Sequence, residues 1–201
     1  GVNVPSQDYL RNVRDWCEEK GILLILDEIQ TGIGRLGSLF GYQQFHIEPD
    51  IITLAKGLGD GVPIGAFLAY EKAAVFEPGD HGSTYGGNVL TCAAAVAATK
   101  VVLEEHVSAK ADTTGRYLRY GLEALKEKHI FITDVRGMGL LLAMEFRDTI
   151  SSTVVSECNQ EGLLLNAVRP NTVRFMPPLT TTIPEVDQAL ERLARVLERI
   201  T

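Results

Sequence analysis

Cysteine is scarce in this 201-residue sequence: Cys17, Cys92 and Cys158 are an odd, widely spaced set of three. Such a set builds neither a disulfide framework nor a zinc site, and predicts reduced thiols in a cytoplasmic protein. A basic excess is also missing, since 19 Lys and Arg stand against 26 Asp and Glu, for a formal net charge of −7. That balance argues against nucleic acid or an anionic membrane as partner, because both select clustered cations. Long apolar runs are absent: Val89 to Ala98, broken by Thr91, and Gly139 to Phe146 fall short of the roughly 18–20 residues of a membrane span. No secretory signal opens the chain. Gly1-Val2-Asn3-Val4-Pro5 leads into ordered-looking sequence without an initiator methionine, which predicts part of a longer protein. His46, His81, His106 and His129 lack the spacing of metal ligands, so no metal is expected.

A hydrophobic content of 45% with 22% charged residues describes a globular protein, and a small molecule is the default ligand. Pro5 and Ser6 open a helix with Leu10, Val13, Trp16 and Cys17 at helical spacing, closed by Gly21. Ile22 to Leu26 is an unbroken apolar run, the pattern of a strand buried on both faces of a mainly parallel sheet. Ile51 to Leu54 and Gly65 to Ala69 read as further strands. The Ala-rich stretch from Asn88 to His106 predicts a helix packed deep in the domain, and a more polar helix follows from about Ser108 to Lys128. Gly139 to Phe146, Gly162 to Asn166 and Val173 to Met176 are strand candidates. A last helix starts at a capping-box pair, Thr182 and Glu185, and carries Val186, Leu190, Leu193, Leu197 and Ile200 as its apolar stripe. The expected architecture is α/β over residues 1–108, followed by a small α+β domain over 109–201.

Two positions invite chemistry. Asp27 ends an apolar run, and a carboxylate at the carboxyl end of such a strand lies where open α/β sheets bind ligands. It suits a partner for a protonated ring nitrogen, the magnesium-associated acid of a nucleotide hydrolase, or a simple cap. The hydrolase needs a G-x-x-x-x-G-K-[ST] phosphate cradle, which no lysine here provides. Lys56 follows the run Ile51 to Leu54 and precedes glycines 57, 59, 61 and 65. A lysine amine becomes nucleophilic only when desolvated or placed beside other cations, so the segment suits either a carbonyl-binding lysine or a surface lysine beside a turn.

Four segments together resemble the class III (subgroup II, fold type I) pyridoxal-phosphate-dependent aminotransferases. They are Leu26-Asp27-Glu28-Ile29-Gln30-Thr31-Gly32-Ile33-Gly34-Arg35, the run from Glu48 through Lys56-Gly57-Leu58, His81-Gly82-Ser83-Thr84-Tyr85-Gly86-Gly87-Asn88, and Val135-Arg136-Gly137-Met138-Gly139-Leu140. The resemblance covers the whole chain and corresponds to about the second half of a family member. It implies that Asp27 pairs with the pyridine nitrogen, that Gln30 lies near the phenolic oxygen, and that Lys56 attaches the cofactor and shuttles a proton. Thr84 resembles the hydroxyl that reaches the phosphate of a neighbouring subunit in a homodimer with shared active sites, and Ser83 beside it is a further candidate. Arg174 resembles the arginine that pairs with a substrate carboxylate. Arg35 and Arg136 match the family pattern but are expected to be structural, and Met138, Met144 and Met176 to fill core. Val89 departs from the family, where proline is usual.

Leu54 to Ala66 and Gly162 to Asn166 are most similar to the acetylornithine-type members, which move the δ-amino group of N-acetylornithine to 2-oxoglutarate in arginine biosynthesis. Ornithine, succinylornithine, succinyldiaminopimelate and 4-aminobutyrate aminotransferases share most of these motifs. A non-catalytic module of the same fold is the remaining alternative, although it has no physical need to keep Asp27, Gln30, Lys56, Thr84 and Arg174 together. The family's phosphate loop, ring-stacking aromatic and substrate-gating residues lie upstream of this region, so these residues alone are expected to be inactive.

Overall fold

A computed structural model describes residues 1–200. The chain divides into two compact units, Pro5–Ser108, and Gly1–Val4 together with the residues from Ala109 onward.

In the first unit, helix α1 spans Tyr9–Lys20 and ends on Gly21 with φ of 65°. Ile22 N–H donates to Cys17 O at 2.8 Å and Gly21 N–H to Glu18 O at 3.2 Å, a Schellman closure that needs the left-handed residue. Strand β1 (Ile25–Asp27) pairs in parallel with β2 (Ile51–Leu54), and β2 pairs antiparallel with β3 (Ala66–Ala69). The predicted run Ile22 to Leu26 therefore yields a shorter strand that starts later. It is not buried on both faces: Leu24 is buried, whereas Ile22, Leu23 and Ile25 stay exposed. Helix α2 (Val89–Glu104) is capped by Asn88 Oδ1, which accepts from Leu90 N–H at 3.1 Å and Thr91 N–H at 3.2 Å. Val89 thus needs no proline to start the helix. Within this chain the helix expected to pack deep is not covered: Ala95 alone is buried, and Val89, Leu90, Val96 and Leu103 are exposed. An apolar composition all round says that a helix lacks a polar face; it does not say what covers the helix.

In the second unit, an antiparallel sheet has the order β4-β5-β7-β6, with β4 Ile132–Met138, β5 Leu141–Phe146, β6 Asn166–Arg169 and β7 Thr172–Phe175. Helices α3 (Val107–Lys128), α4 (Ser151–Gln160) and α5 (Ile183–Ile200) complete it. The core joins Leu118, Leu122 and Leu125 of α3 to Val135, Met144, Phe146 and Val173 of the sheet and to Leu193, Val196 and Leu197 of α5. Burying each of these side chains stabilises by about 2 kcal/mol. Met144 belongs to this core, but Met176, expected there, is exposed. Gly162 to Leu165 is turn and coil, with the strand beginning at Asn166, and β4 and α4 lay outside the elements expected from sequence. Their apolar residues are too interrupted by Thr, Asp, Arg and Ser to stand out before tertiary contacts select a face. At α5, Glu185 Oε2 accepts from both the N–H and the hydroxyl of Thr182, each at 2.8 Å. Among the described residues no helix is long and apolar enough to cross a membrane.

Candidate active site

The site begins where β1 and β2 end. Because the pair is parallel, both strands deliver their following residues to the same edge, and Asp27 is in register with Thr53. Asp27 is the last residue of β1 and is exposed. Its Oδ1 accepts from Ile29 N–H at 2.9 Å, which aims the carboxylate along the turn. Gln30 lies half-buried within that turn.

Lys56 follows two residues after β2, opening a one-turn 3₁₀ segment, Lys56–Leu58, with φ of +46°. A left-handed lysine stores backbone strain, which gathers at functional positions. Lys56 is exposed and lines an open cavity of about 440 Å³ with Gly57, Asp60 and Ile64. The two turns abut. A Cβ on Gly57 would lie 3.6 Å from Ile33 Cβ, and one on Gly32 would lie 3.3 Å from Leu54 Cδ2. Asp27, Gln30 and Lys56 therefore stand on two packed turns at one edge of the sheet, with α2 lying beside Lys56–Leu58.

Ser83 and Thr84 sit in the exposed loop that leads into α2. Ser83 Oγ accepts from Gly86 N–H at 3.0 Å, which gives it a local role in the turn. Arg174 belongs to the second unit, on β7 opposite Asn166 of β6. Its NH2 group donates to Asn166 Oδ1 at 3.2 Å, while its Nε is buried without a hydrogen-bond partner. An unpaired guanidinium N–H is costly to bury, and a carboxylate would satisfy it.

Arg136 is structural. It binds Asp134 at 2.8 Å, Glu145 at 2.7 Å, Val2 O at 2.9 Å and Gly1 O at 3.0 Å, tying the first residues to their own unit. Burial lowers the pKa of the half-buried Arg35.

Two buried carboxylates had no role in the sequence reading. Glu28 is 3% exposed; Thr31 Oγ1 donates to it at 2.5 Å, Gly41 N–H at 2.9 Å and Tyr42 N–H at 2.8 Å. Asp50, 2% exposed, accepts from Arg14 at 2.8 Å, Lys72 at 2.5 Å and Leu24 N–H at 2.7 Å. Burial pushes the Asp50 carboxyl up, but those hydrogen bonds outweigh it and hold it well below the usual carboxylate range. Acids flanking strand runs were the available signal, and sequence alone does not distinguish them from exposed ones.

The parallel pair with its antiparallel third strand, and the separate α+β unit, match the structures of fold type I aminotransferases. The family model "Aminotransferase class-III" matches residues 1–197, and the chain belongs to that family. The acetylornithine aminotransferase of Caldanaerobacter subterraneus subsp. tengcongensis is 47% identical over 200 residues, which is 100% of this chain and 51% of the relative. The chain thus spans about half the length of the curated relatives it matches. The structure of acetylornithine aminotransferase from Elizabethkingia anophelis is similar at a TM-score of 0.94 and 36% identity, covering 99% of this chain and 54% of that one. Ornithine aminotransferase from Toxoplasma gondii, whose structure has partial occupancy of PLP at its active site, matches at a TM-score of 0.94 and 38% identity, over 100% and 48% of the two chains.

Proposed function

We propose that this chain forms part of a pyridoxal-phosphate-dependent aminotransferase that transfers the δ-amino group of N-acetylornithine to 2-oxoglutarate. The observation that carries the reading is the placement of Asp27, Gln30 and Lys56 on abutting turns at one sheet edge. That donor set fits the cofactor: an anion for the ring nitrogen, a carboxamide for the phenolic oxygen and an amine for the aldehyde. Bound there, pyridoxal phosphate supplies an electron-withdrawing ring that accepts charge from the substrate carbon. Asp27 holds the positive charge on the ring nitrogen in place, and Gln30 orients the ring edge. The Lys56 amine would take a proton from the amine-bearing carbon of the donor and deliver it to the cofactor carbon that is bonded to the substrate nitrogen. Arg174 holds a substrate carboxylate, an assignment supported by its buried, unpaired Nε. Thr84, with Ser83 beside it, contributes to phosphate binding in a homodimer with shared sites. Residues up to about 108 belong to the cofactor-binding domain and those from 109 to the small domain. The three free cysteines favour a cytoplasmic location.

The donor assignment follows the acetylornithine aminotransferases, 41–47% identical to this chain. The test presents the complete protein with 2-oxoglutarate and N-acetylornithine, ornithine, succinylornithine or 4-aminobutyrate, and measures glutamate formation. The reading predicts the highest kcat/KM for N-acetylornithine. A preference for ornithine would move the protein to that branch of the family, and no turnover with any donor would refute the transaminase reading.

A further inference from the structure

The geometry points to Glu28 as a positioning residue that sets the orientation of Asp27 and Gln30. This inference rests on the reading of those two residues as cofactor contacts.

Every polar group of Glu28 is engaged. Its N–H donates to Thr53 O at 3.0 Å, one residue beyond the last β1–β2 pair, and its carbonyl accepts from Gly32 N–H at 3.0 Å. The second bond closes a turn that contains Gln30. The carboxylate reaches across the following loop to accept the first two N–H groups of the 3₁₀ segment Gly41–Phe45 as well as the Thr31 hydroxyl. One buried residue thus fastens the end of β1, the Gln30 turn and the far end of the loop to one another.

The space around it is closed as well. A Cβ on Gly41 would lie 3.1 Å from Glu28 Oε2 and 3.0 Å from Leu36 Cδ1, and a Cβ on Gly32 would lie 2.8 Å from Glu28 O. At Gly32 the close approach is to backbone and requires glycine, whereas at Gly41 the side chains of Leu36 and Glu28 would have to give by a few tenths of an ångström. A buried carboxylate, even a fully bonded one, contributes little net stability over an apolar residue of the same size. What it adds is direction, since three acceptor bonds hold the carboxylate in one orientation. Its neighbours at 27 and 30 are the side chains whose orientation the proposed chemistry uses, and the exposed Asp27 is oriented by the Ile29 N–H of the same turn that Glu28 fastens.

Glu28→Gln preserves size but not acceptor count: whichever way the amide turns, its NH2 faces a backbone N–H of Gly41 or Tyr42. In the complete protein we expect this variant to raise the dissociation constant for pyridoxal phosphate by about tenfold or more, as loss of a partner that orients a ligating residue does at metal sites. It should also shift the pH midpoint of the bound cofactor's absorbance. Thr31→Val, which removes one donor at nearly constant volume, should move both readouts in the same direction by less, and decides the matter if Glu28→Gln fails to fold. Asp50→Asn is the control, an equally buried carboxylate at the opposite end of β2 that should lower stability and leave both readouts unchanged. Wild-type constants in Glu28→Gln and Thr31→Val, or equal shifts in Asp50→Asn, would overturn the inference alone. A wild-type protein that shows no Lys56-dependent binding would overturn the underlying reading and the inference with it.

Discussion

Asp27 and Thr53 are partners across the parallel pair of β1 and β2, and Lys56 follows Thr53 by three residues. A carboxylate and an amine distant in sequence are thereby delivered to one edge by a register of backbone hydrogen bonds. Substitution at either should alter chemistry more than stability, because both side chains are exposed.

Lys56→Ala should abolish the visible absorbance of bound pyridoxal phosphate and lower turnover by about 10²–10⁴-fold or more, the range of a positioned proton-transfer group. Spectra and single-turnover rates on the complete protein test this. Retained turnover would remove Lys56 from the mechanism.

Asp27→Asn keeps an oxygen able to accept from Ile29 N–H, so the turn should persist and stability should stay within about 0.5 kcal/mol. Loss of the anion beside the ring nitrogen should lower kcat by about 10²–10³-fold. Urea unfolding beside steady-state kinetics separates the two effects.

Arg174→Lys retains the charge but loses the planar fork. Losing one charge-assisted bond costs about 1.5–3 kcal/mol, so KM for the carboxylate-bearing substrate should rise about ten- to a hundredfold. An unchanged KM would assign the unpaired Nε to some other partner.

Asp50→Asn removes the anionic partner of the half-buried Arg14 and should destabilise the protein by about 3 kcal/mol at neutral pH. Since its partners hold the folded Asp50 well below the ordinary carboxylate range, its contribution is complete above the unfolded pKa of about 3.9. That contribution is lost as pH falls below that value and through the folded one. Stability of the unmodified protein should therefore decline on acidification below about pH 4, and Asp50→Asn should show a shallower decline by chemical denaturation.

Gly115→Ala and Gly121→Ala separate two kinds of close packing on α3. A Cβ at 115 would lie 2.1 Å from Gly139 O, which is backbone, whereas one at 121 would lie 2.2 Å from Leu190 Cδ1, a side chain able to turn away. Alanine gains about 1 kcal/mol in helix propensity, and overpacking costs about 1–3 kcal/mol. Melting temperature should fall clearly for Gly115→Ala and little for Gly121→Ala.

Local chemistry alone determined much of this protein. Gly21 had to close α1 because it tolerates a positive φ, the Ala-rich stretch from Asn88 marked α2, and the spacing along α5 marked its apolar stripe before any neighbour was known. The motifs around Asp27, Lys56 and Thr84 pointed to one family, since their side-chain chemistry is written in adjacent residues. Tertiary structure decided what depends on partners far along the chain. The burial of Glu28 and Asp50 is satisfied by donors at Gly41, Tyr42, Arg14 and Lys72. Carboxylates read alike in sequence whether solvated or buried; only the fold decides that Glu28 and Asp50 are buried among donors while Asp27 stays exposed.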